Sequence, residues 1–322
     1  MLKTYDINVA MRSVGEKMGT SEISVIVTIY NQSEESILKT IRSIAKQRGC
    51  SYQLILADDH STEDPSSFLC KCCADLGIVD YQIVRQEENR QTVRNIYGAL
   101  QFAVGRYVKV IGAGDELYCE STLLDIVSFC RTYGVAAGFG RIVLDGKMGT
   151  YCAPKNYADY PPMGNAIPKD LFAHQVVMAD WIPGCAQFFE TSVLRKLLGT
   201  LIQFDIRYCE DFAQTVWLMS NPVFCLDAPV LVYEWGSGIS TTGNDESVAK
   251  LYRDHNRFYG ELKTTTPYGE TFVLARVLFM VREFVAMKTP LYRLLQRRVA
   301  NSYIKKSRER CAVESMESES SR

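Results

Sequence analysis

"ISVIVTIYNQSEESILKTIRSIAKQ" (23–47) changes character in its middle, at Tyr30–Asn31. The first eight residues are almost wholly apolar and β-branched, the composition of a strand covered on both faces. From Ile37 onward the apolar residues are Ile37, Leu38, Ile41, Ile44 and Ala45, which share one helix face. Asn31 or Ser33 can cap that helix, and Glu34 and Glu35 suit the positive end of its dipole. A two-sided strand followed at once by a one-sided helix is the unit of a parallel sheet wrapped by helices.

The unit repeats. "YQLILA" (52–57) is a second buried strand, ending in the polar turn "DDHSTED" (58–64). A helix over roughly 66–76 follows, then a short strand, "YQIVR" (81–85). "TVRNIYGALQFAV" (92–104) reads as a helix with Val93, Ile96, Tyr97, Leu100 and Val104 inward, and a strand over 106–111 comes next. The order β-α-β-α-β-α-β with short links predicts an α/β fold with helices on both faces. In such sheets ligands bind at the carboxyl ends of the strands. Three of those ends are polar here: Thr28–Asn31, Asp58–Asp59 and Gly114–Glu116. If the strands are parallel neighbours, these groups converge.

The last of them, in "YVKVIGAGDELY" (107–118), delivers Asp115 directly after a glycine-rich break. Neither a GxxxxGK[ST] loop nor a GxGxxG opening is present. Carboxylates alone repel a diphosphate. They become useful when a divalent cation bridges the two. Asp115 is then a ligand for Mg²⁺ or Mn²⁺, and Gly112 and Gly114 let diphosphate and metal approach the backbone.

Composition narrows the class. A net charge of -1 over 322 residues gives no pull toward nucleic acid. No run approaches the ~18 apolar residues of a membrane span. The first twenty residues carry no apolar signal core. Eleven cysteines without a signal peptide point to a reducing cytosol. "CKCC" (70–73) has no partners at zinc spacing and reads as small buried residues on a helix. His60, His174 and His255 are far apart, with nothing local to suggest a triad.

"SVIVTIYNQ", "SIAKQ", "LILADDHSTED" and "GRYVKVIGAGDEL", in that order, resemble the inverting family 2 glycosyltransferases of the GT-A fold. A fifth piece, "FDIRYCEDFAQTVWL" (204–218), places a Glu-Asp pair where that family has one, at a helix start. The resemblance spans about residues 22 to 235. It implies a Rossmann-like GT-A sheet, followed here by a helical C-terminal extension. It implies that Thr28, Tyr30 and Asp59 hold the base and ribose of a nucleoside diphosphate, most often UDP. Asn31, Gly114 and Arg94 would lie on the same nucleotide side, with Asp58 supporting the turn. Asp115 would bind the divalent metal. Asp211 would be the catalytic base, with Glu210 beside it. Trp181 and Gly184 fall where the family shapes its acceptor pocket, although a core tryptophan is an equal reading.

There are departures. Gly112 and Gly114 stand where the family often has acids, and "YEWGSGIST" (233–241) lacks its late histidine ligand. The QxxRW signature of processive synthases is absent, which suggests a single addition per encounter. The implied function is inverting transfer of a sugar from a nucleotide-sugar to a saccharide or lipid-linked acceptor, in assembly of a cell-surface polysaccharide or glycoconjugate. Two other readings compete. A nucleotidyltransferase of similar fold would need a glycine-rich, basic loop that "TIYNQSEES" (28–36) does not provide. A degenerate, non-catalytic nucleotide-sugar-binding protein is kept open by the missing acids.

The expected organisation is an N-terminal extension (1–21), a catalytic domain (22–242), a helical region (243–311) and a disordered tail (312–322). The catalytic domain divides into a nucleotide-binding half (22–118) and an acceptor-binding half (119–242). The proline-rich stretch 151–172 suits a lid over the acceptor. Residues 276–310 carry a net charge of +8. They fit either peripheral contact with the inner face of the plasma membrane, in a cytoplasmic protein, or packing in a homodimer.

Overall fold

The computed structural model describes residues 8–10, 21–145, 151–153, 166–167, 181–234 and 245–265. The chain begins with strand β1 (Asn8–Ala10) and then runs β2 (Ile23–Ile29), α1 (Glu34–Ala45), β3 (Tyr52–Asp58) and α2 (Ser66–Asp75). Next come β4 (Tyr81–Arg85), α3 (Gln91–Ala99), β5 (Tyr107–Gly112) and the short β6 (Glu116–Leu117). The second half holds α4 (Thr122–Tyr133), β7 (Ala137–Asp145), β8 (Tyr151–Ala153) and β9 (Ala166–Ile167). It continues with β10 (Gln187–Glu190), α5 (Thr191–Gln203), α6 (Phe212–Leu218), β11 (Val223–Glu234) and α7 (Asp245–Thr265).

One mixed sheet unites these strands in the order β1-β4-β3-β2-β5-β10-β7-β11-β6, with β8 on β7 and β9 on β11. The block β4-β3-β2-β5 is parallel, as the strand–helix repeat predicts. Ile23, Val25, Ile26, Val27, Leu54, Ile55 and Leu56 are fully buried at its centre. Cover on both faces explains why these strands read as apolar runs rather than alternating ones. Helix α1 buries Ile37, Ile41 and Ile44, and its cap is Ser33, whose side chain accepts the Ser36 N–H at 3.2 Å. Cys72 and Cys73 are buried on α2, and the nine described cysteine side chains are all free thiols.

One expectation is corrected. Helix α3 stops at Ala99, passes through a 3₁₀ turn at Leu100–Phe102, and leaves Val104 48% exposed rather than inward. The reason lies one residue on. Gly105 sits so close to β2 that a Cβ there would collide with the Ser24 nitrogen, so the chain must leave the helix early to enter β5. Within the N-terminal extension, Asn8–Ala10 pairs antiparallel with β4 at the sheet edge. Beyond the parallel block, β10 inserts antiparallel between β5 and β7. Most of the expected lid over 151–172, and all of 276–310, lie outside the described residues.

Candidate active site

Strands β2, β3 and β5 end together. Thr28 lies opposite Ala57 on one side and Gly112 on the other, and Ile29 lies opposite Asp58. The parallel register therefore brings Thr28, Asp59 and the Gly112–Asp115 turn to one edge of the sheet. Thr28 Oγ1 donates to the Ile111 carbonyl at 3.4 Å. Tyr30 follows with its ring 45% exposed beside this edge. Asn31 adopts φ 54°, a left-handed conformation that Asn tolerates better than most residues. Its Oδ1 accepts the Thr62 N–H at 2.8 Å and its own N–H donates to Ser61 Oγ at 2.9 Å. Asn31 thus ties the end of β2 to the turn after β3 instead of capping α1.

The two aspartates of "DDHSTED" divide the work. Asp58 is fully buried and takes the Ser61 N–H at 3.2 Å, the Ser61 hydroxyl and the Arg85 guanidinium. Its carboxylate is committed to the turn, the supporting role, and not to a ligand. Asp59 is also buried, and its carboxylate accepts backbone N–H groups of the next turn, Arg90 to Oδ1 at 2.7 Å and Gln91 beside it. Burial pushes its carboxyl up to about 6. Arg94, expected near the nucleotide, instead reaches Asp205 at 3.4 Å. Asp205 also draws Arg207 at 3.2 Å and Arg257 at 2.7 Å, so the guanidinium is held by the loop that precedes Glu210.

Asp115 is 5% exposed. Its carbonyl accepts the Thr40 hydroxyl at 2.7 Å, and the same hydroxyl accepts the Gly114 N–H at 2.8 Å. Its Oδ1 accepts the backbone N–H of Glu234 at 2.9 Å. Glu234 is the functional candidate that sequence reasoning missed. Strand β11 pairs antiparallel with β6, Val232 opposite Glu116, and two residues further this register sets Glu234 across from Gly114. Gly114 has φ +107°, and a Cβ there would collide with Glu234 Oε2. Gly114 is therefore glycine both for its backbone and to seat a second carboxylate. A Cβ at Gly112 would lie 3.6 Å from Asp115 Oδ2. Burial pushes the Asp115 carboxyl up to about 7, and the Glu234 charge adds to that.

Two carboxylates crowded at one turn suit a hard divalent cation with oxygen ligands. Among the described residues no group of three or more His, Cys, Asp or Glu gathers, so the remaining ligands would have to come from a substrate or water. Asp115 and Glu234 fit the role; Glu234 stands in the segment where sequence shows no histidine, and that misplaced acid was the one available signal.

The other wall of the site is built around Glu210 and Asp211, just before α6. The Asp211 carbonyl accepts Gln187 Nε2 at 3.0 Å, and the same amide donates to Ile182 at 2.7 Å. Glu210 rests on Gly184, where a Cβ would collide with its Oε1. Burial pushes both carboxyls up, and the two repel each other. Lys109, fully buried on β5, donates to the carbonyls of Cys185 and Gln187, the latter at 3.1 Å. Burial lowers its ammonium to about 8. Residues 184–187 therefore link β5 to this wall: Lys109 holds the Cys185 and Gln187 carbonyls, Gly184 seats Glu210, and Gln187 reaches Asp211. Trp181 has its ring 4.8 Å from Phe212, 5.7 Å from His255 and 5.9 Å from Phe258, in edge-on contacts. That is a core role, and it leaves sugar stacking on this ring without support. His255 packs among these rings, 5.0 Å from Phe212.

Comparison with known proteins follows the same line. The family model for glycosyl transferase family 2 matches residues 24–191, more than half of the chain. S. aureus TarS 1–349 in complex with UDP superposes with a TM-score of 0.58 at 17% identity, covering 83% of this chain and 72% of that one. The mannosyltransferase PcManGT from Pyrobaculum calidifontis, in complex with GDP-Man and Mn²⁺, gives 0.55 at 13% identity, covering 89% and 86%. An uncharacterized glycosyltransferase of Rickettsia conorii is 27% identical over 101 residues, 31% of this chain; the chain spans only 16% of that relative. The solved structures share this fold, and the chain belongs to glycosyl transferase family 2.

Proposed function

We propose that this glycosyltransferase uses a UDP-sugar and transfers the sugar, with inversion at its anomeric carbon, to an acceptor hydroxyl. One observation carries the reading. Thr28, Asp59 and the Asp115–Glu234 pair share one sheet edge, and Gln187, whose carbonyl takes Lys109 of β5, donates its amide to the Asp211 carbonyl. Donor groups and a candidate base are thus tied together through β5 and its neighbour β10. TarS in complex with UDP, and the mannosyltransferase in complex with GDP-Man and Mn²⁺, support a nucleotide-sugar donor.

In this mechanism Tyr30 stacks on the base and Asp59 accepts hydrogen bonds from the ribose. Asp115 and Glu234 would hold Mg²⁺ or Mn²⁺, which would supply positive charge against the leaving diphosphate. Asp211 takes the proton of the acceptor hydroxyl as it attacks. Its raised carboxyl makes it a stronger base than a solvated aspartate, and a positioned base contributes ~10²–10⁴-fold. Glu210, seated on Gly184, helps to keep that carboxyl up. Residues 22–118 act as the donor half and 119–242 as the acceptor half.

The acceptor is a saccharide or a lipid-linked saccharide of a cell-surface polysaccharide or glycoconjugate. No helix among the described residues is long and apolar enough to cross a membrane. The basic stretch 276–310 is proposed to meet the inner membrane face or a second copy of the chain. The deciding experiment incubates the protein with UDP-, GDP- and dTDP-sugars, with Mn²⁺ and with EDTA, and reads the product's anomeric configuration by NMR. UDP-sugar turnover lost in EDTA, with an inverted product, is expected. A retained configuration, or turnover of GDP-sugars alone, overturns the reading.

A further inference from the structure

Helix α7 lies outside the residues matched by the family model, yet it reaches the candidate base. Asp254, near its middle, is fully buried. Its Oδ2 accepts three consecutive backbone N–H groups: Arg207 at 2.8 Å, Tyr208 at 2.6 Å and Cys209 at 3.2 Å. Its Oδ1 accepts Arg253 Nη2 at 2.8 Å. Successive amides converging on one anion form a nest, and hydrogen bonds to an ionised acceptor are the strong class. This nest ends one residue before Glu210.

The next residues of α7 secure the other side. Phe212, directly after Asp211, stacks on Phe258 with centroids 4.1 Å apart and meets His255 at 5.0 Å. One helix therefore grips the chain on both sides of the Glu210–Asp211 pair, by charge before it and by rings after it.

Packing explains the rings but not the carboxylate. A buried acid is expensive in desolvation. Here it also opposes ionisation nearby: burial raises the Glu210 and Asp211 carboxyls first, and the Asp254 charge adds to both. An apolar residue at position 254 would pack without that penalty. What it could not do is hold three amides in one orientation.

We propose that Asp254 is a positioning residue for the transfer reaction, its carboxylate fixing residues 207–209 so that Glu210 and Asp211 present their side chains to the acceptor. The proposal rests on the reading of Asp211 as base. It also makes α7 part of the active site and not an appendage.

The test uses the full chain with Asp254→Asn, which keeps shape and removes charge, alongside Asp254→Ala and Asp211→Asn. Hydrogen exchange of the peptide spanning 205–212 reads the nest directly. Exchange at Arg207, Tyr208 and Cys209 should quicken by about tenfold or more in Asp254→Asn. Turnover of the donor accepted from the UDP-, GDP- and dTDP-sugar panel should drop by about 10- to 100-fold in kcat, with donor KM within about twofold. Unchanged exchange overturns the proposal. So does an unchanged kcat in a folded but less stable variant, since that is mere packing, or a loss confined to KM. If Asp254→Ala does not fold, the Asn variant carries the test. If Asp211→Asn keeps wild-type turnover, the base reading fails, while exchange still decides the nest.

Discussion

Gly114→Ala probes the donor side with one methyl group. Two effects act together. The backbone has φ +107° at this position, a region that L-residues avoid at about 1–3 kcal/mol. The new Cβ would also fall well inside 3.0 Å of Glu234 Oε2, closer than real Cβ contacts come. The Glu234 side chain is flexible, so it yields first. Its backbone N–H can stay on Asp115 Oδ1 at 2.9 Å while its carboxylate leaves the Gly114 seat. The expected result is therefore split. Urea unfolding should show a loss of about 1–3 kcal/mol. Calorimetric titration with UDP should show an intact affinity in EDTA, where Tyr30 and Asp59 act alone. The gain in affinity on adding Mn²⁺ should shrink by about tenfold, the value of roughly 1.4 kcal/mol for one weakened charged ligand. Glu234→Gln serves as the companion: the same loss of Mn²⁺-dependent gain, without the backbone penalty. A Gly114→Ala protein with full Mn²⁺-dependent gain would refute Glu234 as a ligand. One with wild-type stability would refute the seat itself.

Other expectations follow from the remaining groups. Asp211→Asn should abolish transfer while UDP affinity in calorimetry stays near wild type; near-normal turnover would exclude it as base. Asp59→Ala should weaken UDP binding by about 1.5–3 kcal/mol, again by calorimetry, since it removes a charged hydrogen-bond acceptor. Gly184→Ala should lower kcat and spare donor affinity, because its Cβ would push Glu210 off its seat without positive-φ strain. The nucleotide-free protein should lose stability as pH rises from about 4 to about 7 in thermal melts. The Asp59 carboxyl is raised to about 6, so its favourable contribution is complete below the usual aspartate value and lost through about 6; it amounts to roughly 3 kcal/mol at most. Asp115, raised to about 7, acts in the same direction over a slightly higher window. Asp59→Asn should flatten the lower part of that slope.

What the sequence disclosed was local. The runs 23–29 and 52–58 showed two-sided burial, and the capping serine at 33 lay next to its helix. The convergence of Thr28, Asp59 and Asp115 followed because parallel neighbours share their strand ends. Non-local pairings were hidden. Nothing in "NVA" (8–10) points to β4, and nothing in "QFFE" (187–190) points to a place between β5 and β7. Glu234 needed the β11–β6 register, which spans more than a hundred residues. The ion partner of Arg94 was hidden for a similar reason: Asp205 is remote in sequence, and the helix itself suggested only which face Arg94 occupies. Trp181 read equally as platform or core until the rings of Phe212, His255 and Phe258 surrounded it.

Both walls share one device. At Gly114 and at Gly184 a carboxylate occupies the space a Cβ would fill, Glu234 at the first and Glu210 at the second. Each seated acid lies beside another acid, Asp115 or Asp211, whose carboxyl burial already pushes up. For the fold alone this is a poor arrangement: amides would fill the same volume without mutual repulsion, and costly local arrangements of this kind cluster at functional sites. On the proposed reading the two pairs are strained for different ends. The Asp115–Glu234 pair is relieved by positive charge, so cation and diphosphate each improve the site for the other, and that coupling must be reciprocal. The Glu210–Asp211 pair is relieved by a proton, and the acceptor hydroxyl is where one becomes available. The same local chemistry, a glycine seat and two buried acids, therefore makes one wall receptive to a leaving diphosphate and the other to the proton of the attacking hydroxyl.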